Sequence, residues 1–183
     1  GAFVNESPNS PAGSGRNITM ALGGGALIDV QAGASMTNGG WQNIDWSANL
    51  ASLNVDGTFD LWDGKVVYVD ALTGGGTVTA NPGSGGSQNL TVGVNGGSGT
   101  FGGVIQNANR TVSLTKAGGG TQVLAGANTY SGATLVNGGT LLVNGTHSGG
   151  AMYTIEDQAT LGGNGTITAP VTVQTGGHIA PGT

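Results

Sequence analysis

The amino-acid sequence predicts an all-β chain wound as a solenoid, and three observations carry that expectation. Glycine supplies 39 of the 183 residues, which disfavours helices and suits tight turns. Between the glycines, Val, Ile, Leu and Thr alternate in short runs, the period-two pattern of strands. A marker, Gly-Thr followed at once or after one residue by an apolar residue, recurs at Gly57, Gly76, Gly99, Gly120, Gly139 and Gly165. A final Gly182-Thr183 completes the series, with spacings of 17 to 26 residues and a mean near 21.

That period sets the architecture. A β-rich repeat of about 20 residues is too short for a propeller blade and lacks the Leu/Asn signature of leucine-rich repeats. It suits one coil of two or three short strands, which buries its apolar residues by stacking on its neighbours. Eight or nine coils at about 4.8 Å each predict a rod on the order of 40 Å long. "GAL" at Gly25 is a cousin of the marker, and "NGT" at Gly145 is a near-miss inside the longest interval.

Composition excludes several classes. Only 7% of residues are charged and β-branched residues abound, unlike a disordered chain. The balance is acidic, formally −5, and Arg16, Lys65, Arg110 and Lys116 are scattered, so no nucleic-acid partner is expected. There is no cysteine, hence no disulfide or thiolate metal site. No apolar run approaches the ~18–20 residues that span a bilayer, and "GAFV" at the start is not a signal sequence.

Along the chain, residues 1–16 (GAFVNESPNSPAGSGR) read as an extended arm or linker. Residues 17–183 read as one solenoid domain, irregular or capping over 17–56 and regular over 57–183. Alternation places Leu141 with Val143, Leu90 with Val92 and Val94, and Val171 with Val173 inside the coil. Asn81, Asn95, Asn107, Asn137 and Asn144 fit turns. Trp41 and Trp46 interrupt the repeat and are expected in an insertion or cap.

Residues 114–145, "LTKAGGGTQVLAGANTYSGATLVNGGTLLVNG", state nearly the same pattern twice. They resemble the passenger-associated repeat of bacterial autotransporters and related secreted proteins. Leu114-Thr115-Lys116, Gly126-Ala127-Asn128-Thr129-Tyr130 and Gly139-Thr140-Leu141-Leu142-Val143 carry the likeness, with Gly103–Asn107 and Gly176–Gly182 as flanking elements. The resemblance covers about residues 97–183 well and the first half loosely. It implies a right-handed parallel β-helix and an extracellular or cell-surface location. It implies little about function, because the family holds adhesins, stems and large surface proteins.

Chemistry is sparse in this sequence. His147 sits in a turn by composition and His178 in a strand, neither within a nucleophile motif. The GGG runs lack the Gly-Lys-Ser/Thr of a phosphate loop. Asn-X-Ser/Thr triplets at Asn5, Asn17, Asn89, Asn109, Asn144 and Asn164 are what an Asn- and Thr-rich chain gives by chance. In "DGTFDLWDGKVVYVD", inward Phe59, Leu61, Val67, Val69 and Ala71 would set Asp60, Trp62, Tyr68 and Asp70 on neighbouring outer faces. Aromatics beside carboxylates form the candidate sugar site. The alternative is packing of those aromatics under a loop, the arm or a subunit. Ala2, Phe3 and Val4 at one end and Ile179 at the other are the candidate joints for self-association.

The expectation is a non-enzymatic extracellular solenoid without cofactor or metal: a stem, fibre or filament subunit, or an adhesive scaffold. Its partners would be its own copies or adjoining coils. A carbohydrate-binding module is the alternative, and a polysaccharide-degrading enzyme, through paired carboxylates, a more distant one.

Overall fold

A computed structural model describes residues 16–38, 42–62, 66–81 and 86–182. Residues 1–15, including Ala2, Phe3 and Val4, together with Trp41, Lys65 and Thr183, lie outside the described residues.

The chain repeats a unit of three short strands. The first coil is β1 (Arg16–Thr19), β2 (Leu27–Val30) and β3 (Ser35–Thr37); the second is β4 (Gln42–Asp45), β5 (Ser52–Val55) and β6 (Thr58–Asp60). The third is β7 (Val66–Val69), β8 (Leu72–Thr73) and β9 (Thr77–Thr79). The fourth is β10 (Ser87–Val92), β11 (Gly99–Phe101) and β12 (Val104–Ile105). The fifth is β13 (Thr111–Lys116), β14 (Thr121–Leu124) and β15 (Ala127–Asn128). The sixth is β16 (Thr134–Val136), β17 (Thr140–Val143) and β18 (Thr146–His147). The seventh is β19 (Tyr153–Ile155), β20 (Thr160–Gly163) and β21 (Thr166–Ile167), followed by β22 (Val171–Val173) and β23 (His178–Pro181).

Every pairing between these strands is parallel, so the strands stack into three faces of a β-solenoid. One face carries β1-β4 and then β7-β10-β13-β16-β19-β22. The second carries β2-β5-β8 and, across the single bridge Gly74↔Phe101, β11-β14-β17-β20-β23. The third carries β3-β6-β9-β12 and β15-β18-β21.

The solenoid has about seven coils, fewer than the eight or nine expected from the period. Dividing the whole chain by the period counted residues 1–15, outside the described strands, and a last coil with only two strands, β22 and β23. The marker itself mixes two corners. Gly57, Gly76 and Gly165 precede third-face strands, whereas Gly99, Gly120 and Gly139 stand at the start of second-face strands. Gly145, the near-miss, is a true third-face corner. This is why the 114–145 segment reads as a doubled phrase: it passes both corners twice.

The corner into the third face needs glycine for a steric reason. A Cβ on Gly57, Gly76, Gly103, Gly126, Gly145 or Gly165 would lie 1.9–2.2 Å from the carbonyl oxygen of Ala34, Gly57, Gly76, Gly103, Gly126 or Gly145, respectively. Each glycine therefore rests on the carbonyl of the coil before it.

The interior is built as columns of residues in register. On the first face one column runs Val67, Leu90, Leu114, Thr134, Tyr153, Val171 and its neighbour runs Val69, Val92, Lys116, Val136, Ile155, Val173. All but the last member of each are buried. Burying such side chains is worth about 1.5–3 kcal/mol apiece, which stabilises strands too short to stand alone. Val171 and Val173 occupy inward positions as expected but are 42% and 43% exposed, because β22 is the last strand of its face among the described residues. Val94, expected inside, lies beyond the end of β10 and is half-buried. Trp46 is 1% exposed and meets Phe59 edge-on with centroids 6.0 Å apart, its indole N–H bonded to Asn38 Oδ1 at 2.8 Å. It is core of the second coil rather than an insertion.

Candidate functional site

The acidic stretch does structural work at the turns. β6 ends at Asp60, so Trp62 lies in the corner beyond it, with φ of +46° and its N–H bonded to Asp60 Oδ1 at 2.9 Å. The same oxygen accepts the N–H of Asn81, one coil on, at 2.8 Å. Asp70 follows β7, and its Oδ1 accepts the N–H groups of Asn95 at 2.9 Å and Gly97 at 2.7 Å. Tyr68 is half-buried on the outer side of β7, in register with Thr91. Asp60 and Trp62 thus stand at the end of the third face, and Tyr68 and Asp70 on the first. No hydrogen bond or ring contact joins the two pairs among the described residues. Alternation in the sequence could not show that both carboxylates are engaged by backbone amides.

Asp56 repeats the arrangement. Its Oδ1 accepts the N–H of Gly75 at 3.0 Å and its Oδ2 a bond from Asn54 Nδ2 at 2.9 Å. The side-chain bond from Asn54, then the backbone bond from Gly75, hold its pKa below the ordinary carboxylate value. Charged acceptors on backbone donors are the stronger kind of hydrogen bond, so these aspartates fasten the second coil to the third and the third to the fourth.

Two features that sequence reasoning missed lie inside. Lys116 belongs to an inward column, fully buried, and its ammonium donates to the carbonyls of Ala117, Gly118 at 3.0 Å and Gly138 at 3.2 Å. Burial lowers its pKa, and the charge of Asp70 opposes the shift. The alternation Val112, Leu114, Lys116 was the available signal, obscured because a lysine is rarely fully buried. His147, expected in a turn, is the last residue of β18 and completely buried between Tyr130 and Tyr153. His178 is exposed on β23.

The open end is the remaining feature. Val171, Val173, Ile179 (47% exposed) and Pro181 surround a depression of about 420 Å³ floored by Val143, Leu161 and Ile167. Among the described residues, no group of three or more acidic or imidazole side chains is placed to hold a metal ion. No helix there is long and apolar enough to cross a membrane.

Against this geometry, the passenger-associated-transport-repeat family model matches residues 114–143, the span from β13 to the end of β17. No curated protein and no solved structure matches the chain. The match defines a class: a β-solenoid that carries a passenger-type repeat in its regular half.

Proposed function

We propose that this chain is a non-enzymatic solenoid of the cell surface or extracellular space, a stem, fibre or filament subunit or adhesive scaffold, whose coil ends join further coils. The observation that carries this reading is the open end. Val171, Val173 and Ile179 are exposed by 42–47%, whereas Tyr153, Ile155 and Leu161, one coil earlier in the same register, are 0–4% exposed. Among the described residues, β22 and β23 pair on one edge only, and such an edge is a template on which another strand is laid. A coil of the same pattern is the surface that completes it, and head-to-tail joining propagates without closing.

The passenger-repeat match supports a surface or secreted location. Engagement of Asp60 and Asp70 by backbone amides favours the structural reading over a sugar site, and burial of His147 favours it over an enzyme.

The test compares the chain with a Val171→Asp, Val173→Asp double variant by light scattering and electron microscopy over a concentration series. The reading expects concentration-dependent end-to-end rods from the parent chain and single rods from the variant. A parent chain that stays monomeric throughout, or a variant that assembles equally well, would overturn it.

A further inference from the structure

Four buried side chains near the open end form one polar chain that the scaffold role does not use. Tyr130 follows β15, Thr134 lies on β16, His147 on β18 and Tyr153 on β19, so they tie the fifth, sixth and seventh coils together. None is more than 1% exposed. Tyr130 Oη lies 2.7 Å from Thr134 Oγ1 and 3.4 Å from Tyr153 Oη. Tyr153 Oη lies 2.7 Å from His147 Nδ1, and His147 Nε2 lies 2.8 Å from the carbonyl oxygen of Tyr130. The imidazole stacks on the Tyr130 ring at 4.0 Å with 24° between planes.

The donor sense of this chain follows from one fixed point. A carbonyl only accepts, so Nε2 carries the imidazole proton and Nδ1 is the acceptor. Tyr153 therefore donates to Nδ1, while in the 2.7 Å bond between Tyr130 and Thr134 either hydroxyl can be the donor. A second proton on the imidazole would enter at Nδ1, where the Tyr153 hydroxyl hydrogen already points. The Tyr153 hydroxyl, buried, would have to turn away from Nδ1 and find another acceptor. The titratable groups that face His147 are the two phenols, from the segment after β15 and from β19. Asn128 on β15 and Ile167 on β21, its register neighbours, bring no charge. Gly150 closes the remaining side, where even a Cβ would lie 2.7 Å from His147 Cε1. Glu156 and Asp157 follow β19 at the strand end away from Tyr153, and the Lys116 ammonium is bonded to carbonyls at another corner.

We propose that this chain of hydroxyls on His147 is an acid-released latch: protonation of the imidazole undoes it and loosens the coils from β16 onward while the earlier coils stay wound. The electrostatics run the same way. Burial lowers the His147 pKa and raises those of Tyr130 and Tyr153, so the folded state keeps a neutral imidazole and protonated phenols. A depressed folded-state pKa gives stability that is complete above the unfolded value, about 6.5 for histidine. That stability is lost as pH falls toward the folded value. The inference does not depend on what covers the open end.

The experiment is site-resolved amide hydrogen exchange on the whole chain between pH 7 and 4.5, corrected for intrinsic rates. It is paired with NMR titration of the His147 ring, assigned with a His178→Gln variant. Expected is a loss of protection of about tenfold or more in β16–β21, with β5–β9 retained and the loss tracking His147 protonation. A His147→Gln variant that folds should show no such acid dependence. Unchanged protection in β16–β21, loss spread evenly over all coils, or the same acid loss in the variant would each overturn the latch. The titration of the parent chain decides the matter where the variant does not fold.

Discussion

The side-chain amide of Gln122 binds both backbone groups of Leu72, fifty residues earlier: Nε2 donates to the carbonyl at 2.9 Å and Oε1 accepts the N–H at 3.1 Å. The second face is broken at that point, since β8 and β11 meet only at the Gly74↔Phe101 bridge. Gly99, the register partner of Gln122, leaves the space, because a Cβ there would lie 2.5 Å from the Leu72 carbonyl. An amide has the donor and acceptor of a peptide unit, so Gln122 serves as the missing strand. Gln122→Leu would leave a buried donor and acceptor unpaired, at about 1–3 kcal/mol each. We expect a loss of about 2–4 kcal/mol in chemical denaturation, with faster hydrogen exchange at Leu72.

The glycine stack makes a sharper contrast. Gly126→Ala would place a methyl 1.9 Å from the Gly103 oxygen, whereas a Cβ on Gly119 meets nothing within 4 Å. Gly126→Ala should therefore cost at least about 1–3 kcal/mol, the range for forced overpacking. Gly119→Ala should stay within about 0.5 kcal/mol of the parent. Thermal denaturation of the two variants side by side checks this.

Acid sensitivity in the first half should trace to carboxylates rather than to an imidazole, to Asp45, whose pKa the Ser47 N–H lowers, and to Asp56. The folded-state pKa of Asp56 is lowered, so its contribution is present above the ordinary carboxylate value, about 3.9. It is lost as pH falls through the lower folded value. Asp56→Asn should flatten the stability profile below about pH 4 and leave the region near pH 6 unchanged, as read from denaturation midpoints across pH.

Gln158 is exposed and holds φ at +59°, with its N–H on the Gly176 carbonyl at 2.9 Å. A left-handed backbone costs an ordinary residue about 1–2 kcal/mol. Gln158→Gly should thus stabilise the seventh coil, by about 0.5–1 kcal/mol once the greater freedom of glycine in the unfolded chain is set against it. A raised denaturation midpoint is the expected reading.

The solenoid was legible in the sequence because its two determinants, alternation and spaced glycines, are local. Leu141 and Val143, or Leu90 and Val92, could be placed inward by parity alone. What parity could not give was the neighbour one coil away. Lys116 is inward on a pattern that also fits a surface lysine, and only the carbonyls of Gly118 and Gly138 explain it. His147 looked like a turn residue because glycines flank it; its partners Tyr130 and Tyr153 come from adjacent coils. For the candidate sugar residues, parity could not show that Asp60 and Asp70 are taken up by amides, because most of those amides, from Asn81, Asn95 and Gly97, lie beyond the stretch itself.

The three corners differ in how much chain they hold. From the start of the second strand to the start of the third, the seven coils use only five to eight residues, whereas from the first to the second they use six to twelve. The stacked glycines of the tight corner act as a vernier: they fix the advance from coil to coil, while the looser corners absorb length without disturbing it. A foreign peptide spliced in at Gly119 would then hang from the side of the rod as cargo. The same peptide at Gly126 would lift one coil off the next and interrupt the winding.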